Sequence, residues 1–143
     1  MKLMKVTTPH QKATISAAES LTKKIIGEAP LELQSSLNHL FKLIGEVNKV
    51  TPIFDLASQV RLSLGHFATD PEQDASLGAA TAFGWGAYTV LDNYLDNEGE
   101  EAFLPAAIFS LRAMHTLFSE AVEGSAFQKE VQRLLLRIDT ANA

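Results

Sequence analysis

The sequence predicts an all-α fold: about six helices, antiparallel neighbours joined by short loops, in a single helical domain over residues 1–143. Three observations predict it. Apolar residues recur at helical spacing in every long segment, as in Leu33, Leu37, Leu40, Phe41, Ile44 and Val47. The segments are bounded by helix punctuation, with Thr8-Pro9, Thr51-Pro52 and Asp70-Pro71 at starts and Gly27, Gly65 and Gly124 at ends. Strand-like alternation is absent, and no hairpin dipeptide is flanked by strand-like runs. Internal repeats, low-complexity tracts and linkers are absent too.

Each element follows from that punctuation. The first helix starts at Thr8-Pro9, carries Ile15, Ala18, Leu21, Ile25 and Ile26 as its stripe, and stops at Gly27. The second begins around Pro30. The third opens at Thr51-Pro52, uses Ile53, Leu56, Ala57, Val60 and Leu64, and ends at Gly65. Thr69-Asp70-Pro71 opens a long fourth helix, with Glu72 favourable in its first turn. Gly99 is its expected left-handed terminator. The fifth runs from about Glu101 to Glu123, with Pro105 tolerated in its first turn. Its stripe is Phe103, Ala107, Leu111, Met114, Leu117, Phe118 and Ala121. Ser125-Ala126-Phe127-Gln128 fits a capping box for the sixth, whose apolar side is Val131, Leu134, Leu135 and Ile138.

Composition narrows the function classes. The 143 residues suffice for one hydrophobic core. A net charge of −5 and the lack of a basic aromatic strip argue against a nucleic-acid partner. Cysteine is absent, which excludes disulfides, thiolate nucleophiles and Cys-based zinc sites. No unbroken apolar run reaches the ~18 residues of a membrane span. Met1-Lys2-Leu3-Met4-Lys5 lacks the apolar core of a signal peptide. A cytoplasmic protein without a membrane span is expected.

The long helix carries the chemistry. Asp92 and Asp96 are four residues apart, on one helix face near its C-terminal end. Like charges at that spacing repel, and a helix C-terminus is already partially negative. A divalent cation with oxygen ligands, such as Mg²⁺, turns both penalties into attraction. At 100° per residue, Thr81, Trp85, Tyr88, Thr89 and Asp96 fall within about 60° of Asp92. Ala80, Phe83, Ala87, Val90, Leu91 and Tyr94 fall on the far side as the core stripe. No charged residue occurs from Leu77 to Leu91, so this helix is expected to be buried on several sides. Gly78, Gly84 and Gly86 then mark places where a neighbouring helix or a ligand approaches closely.

Asp92-Asn93-Tyr94-Leu95-Asp96 resembles the first aspartate-rich motif of the class I isoprenoid synthases, the trans-prenyltransferase and terpene-cyclase superfamily. Ala87-Tyr88-Thr89-Val90-Leu91, Glu98-Gly99 and Phe103-Leu104-Pro105-Ala106-Ala107-Ile108 are similar to bacterial class I isoprenoid biosynthesis enzymes. The similarity covers roughly residues 87–112. It implies the N-terminal half of an isoprenoid-synthase helical fold and a prenyl diphosphate ligand. It implies Mg²⁺ at Asp92 and Asp96, with Asn93 and Glu98 as further oxygen donors. Trp85, Tyr88 and Thr89 would line the substrate pocket beneath. Asn93 departs from the family pattern, which has an aspartate there. Members of the class also carry a second metal motif on a later helix, whereas the only aspartate after Asp96 is Asp139. The resemblance therefore implies a fragment or half-fold whose missing C-terminal half, or a second copy in a homo-oligomer, completes the site.

Other readings stand beside these. Asp92 and Asp96 can be a solvated acidic helix end, Trp85 and Tyr88 ordinary core, Asn93 a cap. Glu98, Glu100 and Glu101 precede the fifth helix, where the dipole favours negative charge. Arg61 and Arg112 read as surface residues. His10, His39, His66 and His115 lack metal spacing. The functional expectation is Mg-dependent binding or ionisation of a prenyl diphosphate. The alternatives are a helical interaction module without catalysis, and a prenyl-diphosphate binder without turnover.

Overall fold

The computed structural model describes residues 9–47, 53–55 and 71–142. Among them are five α-helices and no strand: α1 (Pro9–Glu28), α2 (Leu31–Val47), α3 (Pro71–Leu95), α4 (Leu104–Val122) and α5 (Gln128–Asn142). Short 3₁₀ turns occupy Ile53–Asp55 and Glu101–Phe103. The all-α expectation holds. Of the third expected helix only Ile53–Asp55 is described, and the rest lies outside the described residues, as do Thr8, Arg61, His66 and Asp70.

α3 is central. α1, α2, α4 and the Ile53–Asp55 turn all pack on it. Its buried set includes Asp74, Gly78, Ala79, Ala82, Phe83, Gly86 and Ala87, which spread around the helix. Two of its glycines explain the close packing. A Cβ on Gly78 would run into the Phe54 carbonyl and lie 3.0 Å from the Ala18 Cβ of α1. A Cβ on Gly84 would lie 2.7 Å from the Met114 Sδ of α4. The helix-propensity cost of each glycine, up to about 1 kcal/mol, is offset by the contact it admits.

α4 runs antiparallel to α3. The loop Asp96–Phe103 joins the end of α3 to the start of α4, and Gln73 Nε2 at the start of α3 donates to the Ala121 carbonyl at the end of α4 (2.7 Å). Phe83 is the hub of the core. Phe41 and Phe109 meet it edge-on, at 5.0 and 6.3 Å between ring centroids. Ile26, Leu37, Met114, Leu117 and Leu135 complete the cluster, so every helix contributes to it.

Several expectations need correction. α1 buries Gln11, Thr14, Ala18, Thr22 and Ile26, while Ile15, Leu21 and Ile25 are only partly buried. The buried face is rotated toward small residues because Ala18 must approach Gly78. Thr22 tolerates burial because its hydroxyl donates to the Ala18 carbonyl at 2.8 Å. α1 also continues through Gly27 to Glu28. On α4 the buried set is Ala106, Ala107, Ser110, Met114 and Leu117; the expected stripe omitted Ala106 and Ser110, and its Phe103, Leu111, Phe118 and Ala121 are only partly buried. The capping box before α5 is displaced by one residue. Gln128 Oε1 accepts from Gly124 N–H, and Ser125 Oγ accepts from Phe127 N–H.

Glu101–Val122 is, among the described residues, the one stretch long and apolar enough to cross a membrane by length and composition, with mean hydropathy 1.2. Arg112, His115 and Glu120 interrupt it, so a count of unbroken apolar runs misses it.

Candidate functional site

The acidic motif sits on a complete helix terminator. Asp96 N–H still bonds the Asp92 carbonyl (3.0 Å), as a helical residue would. Asn97 then turns left-handed (φ 57°), its N–H donating to the Tyr94 carbonyl at 3.1 Å. Glu98 N–H reaches back to the Asn93 carbonyl at 2.8 Å. This pair of bonds, from the two residues after the cap, is a Schellman motif. The left-handed residue is therefore Asn97 and not Gly99. Gly99 serves clearance instead. A Cβ there would lie 2.8 Å from Tyr94 N and 3.0 Å from the Asn93 carbonyl carbon. Only glycine lets the departing chain lie against the last turn.

The cap gives a prediction. Asn97→Gly should leave stability unchanged or slightly raised, because glycine adopts this conformation without strain. Asn97→Val should cost about 1–2 kcal/mol, the penalty of a left-handed L-residue. Urea denaturation of both variants measures the difference. Equal midpoints would mean the turn does not constrain residue 97.

One face of α3 opens on a cleft of about 850 Å³, within the size range of small-molecule sites. Thr81, Trp85, Tyr88, Thr89 and Asp92 all line it, so the face placed near Asp92 by helical geometry is assembled there except for Asp96, which does not line the cleft. Met114 and Phe118 of α4 and Ala141 of α5 supply other walls. The α3 wall runs from Ala80 to Leu95, ~22 Å at 1.5 Å per residue. Trp85 is 46% exposed, and Tyr88 and Tyr94 are similar, so these rings are not core residues. Tyr94, expected in the core stripe, lines the cleft instead. The part that Leu95, Met114, Phe118 and Ala141 play in the cleft is not legible from sequence, because walls from other helices leave no mark in one helix's periodicity.

The polar groups of the cleft are constrained. Thr81 Oγ1 donates to the Leu77 carbonyl and Thr89 Oγ1 to the Trp85 carbonyl, both at 2.8 Å. With their protons committed, these hydroxyls offer the cleft lone pairs only. The α3 C-terminus adds its partial negative charge, and Asp92 adds a full one. The upper end of the cleft thus repels an anion unless a cation intervenes.

Asp92, Asn93, Asp96 and Glu98 are all exposed, but only Asp92 lines the cleft. Among the described residues no group of three or more His, Asp or Glu side chains is placed to hold a metal. Mg²⁺ keeps several waters and is commonly held by one or two carboxylates plus substrate phosphates. Asp92 and Asp96 therefore do not by themselves make a caged metal site among the described residues. Arg112 is exposed on α4 and does not line the cleft. His39 stacks on Phe103 at 5.3 Å, and His115 Nε2 lies 3.3 Å from Asp139 Oδ1, tying α4 to α5.

Comparison with family models, with curated proteins and with solved structures finds no match for this chain. None of these comparisons supports the resemblance to class I isoprenoid synthases expected from the Asp92–Asp96 motif.

Proposed function

We propose that this chain binds a prenyl diphosphate in a Mg²⁺-dependent manner, with the hydrocarbon in the cleft and the diphosphate at its Asp92 end. The observation that carries this is the shared lining of Trp85, Tyr88, Thr89 and Asp92. An apolar aromatic trough with a carboxylate at one end suits an amphiphile with a charged head. That carboxylate, the helix C-terminus and the donor-poor threonines make the head's charge the obstacle. Asp92 and Asp96 would hold the ion, with Asn93 and Glu98 as outer donors. When bound, Mg²⁺ supplies positive charge that neutralises the diphosphate and polarises its oxygens. In this reading α3 is the central helix of a six-helix half-fold of isoprenoid-synthase type.

Trp85 is the only tryptophan, so its emission reports cleft occupancy directly. Titration with farnesyl diphosphate should change Trp85 emission saturably in Mg²⁺ and far less in EDTA. A parallel assay for released inorganic diphosphate separates ionisation from binding. Emission that ignores the ligand in both buffers rejects the proposal. A second reading, a helical interaction module, is favoured by exposed Leu134 and Leu136 on α5.

A further inference from the structure

We infer that α5 is the seam of an antiparallel homodimer centred on Leu134. The inference rests on α5 itself and not on the ligand reading. Phe127, Val131, Leu134, Ile138 and Ala141 repeat at alternating intervals of four and three, the pattern of a coiled-coil seam. α4 takes only one edge of this stripe. Leu135 is buried against α4, and Val131 and Ile138 are partly buried. The other edge is solvent-exposed: Leu134 and Phe127 are each 56% exposed. Taking Leu134 as zero at 100° per residue, Ala141 lies within about 20° of it, and Phe127 immediately precedes the helix. Val131, Ile138 and Leu135 lie between about 40° and 100° on the α4 side. Glu130 and Arg137 lie between about 40° and 60° on the opposite side. The exposed strip is thus flanked by the core on one side and by two opposite charges on the other.

Those charges select the occupant. Glu130 and Arg137 are both exposed, and neither makes an ion pair among the described residues. They stand on either side of Leu134, four residues before it and three after. A second α5 laid antiparallel across Leu134 sets Glu130 of each copy against Arg137 of the other. A parallel pair would bring like charges to the same level. The strip is therefore self-complementary about a two-fold axis, as an isologous interface requires. The same operation brings the partner's Phe127 beside Ala141, and Ala141 lines the cleft. Dimerisation would then close the α5 end of the cleft with an aromatic ring from the second copy. The seam is only ~22 Å long, so a micromolar dimer is expected and not a nanomolar one.

Sedimentation equilibrium of the full chain across the micromolar range, from about 5 to about 200 µM, tests this. The wild type should move from the 15.6 kDa chain mass toward twice that mass. Leu134→Asp, at an exposed position, should keep the helical circular dichroism and weaken the dimer by about 30-fold or more. Glu130→Arg and Arg137→Glu should each weaken it, and the double variant should restore it. Leu134→Cys should cross-link to itself on oxidation, since the chain contains no other cysteine. A wild type that stays monomeric at the highest concentration overturns the inference. So does a Leu134→Asp variant that still dimerises, or a double swap no better than either single one.

Discussion

Gly78→Ala is expected to destabilise the protein by about 1–2 kcal/mol, although alanine is the better helix former. Two effects oppose each other at this position. Replacing a helical glycine gains up to about 1 kcal/mol of propensity and unfolded-state entropy. Against it, the new methyl would meet the Phe54 backbone carbonyl and the Ala18 Cβ. Backbone cannot swing aside as a flexible side chain can, so α1 or the Ile53–Asp55 turn must move away from α3. Overpacking of a tight contact costs typically about 1–3 kcal/mol, occasionally more. Gly27→Ala provides the control. Gly27 lies in the last turn of α1, and a Cβ there would have nothing within 4 Å. There only the propensity effect operates, and a gain of up to about 1 kcal/mol is expected. Denaturant midpoints with unchanged slopes measure both. If the two variants shift in the same direction, the α1–α3 contact at Gly78 is not close. Against a total stability of about 5–15 kcal/mol, the expected loss at Gly78 is large.

Asp92→Ala should lower farnesyl diphosphate affinity by about 100-fold at saturating Mg²⁺ and Asp96→Ala by less, with little change for either in EDTA. The protein alone presents one or two carboxylates, and the ligand's phosphates supply the rest of the coordination sphere. Mg²⁺ and diphosphate must then raise each other's affinity by the same factor, and such couplings span about 5–150-fold. Calorimetry of each ligand, with and without the other, measures that factor directly. Removing either carboxylate should leave stability unchanged or slightly raised, because the i,i+4 repulsion and the unfavourable charge at the α3 C-terminus disappear with it. A variant that unfolds would mark the aspartate as structural. A variant that binds normally with Mg²⁺ would move the diphosphate away from Asp92 and Asp96. Asp92 is expected to be the more sensitive position, since it lines the cleft and Asp96 does not.

Much of the architecture was legible because helices are written locally. Apolar spacing and punctuating residues located α1, α2, α3, α4 and α5 to within a few residues. The cleft face was legible for the same reason. Thr81, Trp85, Tyr88, Thr89 and Asp92 share a face by helical geometry, whatever packs nearby. That this face stays open, and that Tyr94 joins it, depended on where α4 and α5 lie.

Sequence by itself thus determined an all-α chain built around one helix that is uncharged from Leu77 to Leu91, with an aspartate pair at its end. Tertiary structure alone decided three things. It turned the buried face of α1 toward Ala18 and Thr22, because Gly78 on α3 lets the two helices approach at that point. It put the left-handed residue at Asn97, because the chain must then pass so close to Asn93 and Tyr94 that Gly99 is needed for clearance instead. It made a cleft out of a helix face by setting Met114, Phe118 and Ala141 opposite it. Local sequence specifies backbone dihedrals and which residues share a side of a helix. Which side meets protein and which meets solvent depends on contacts between residues far apart in the chain, and a single helix's periodicity carries no record of them.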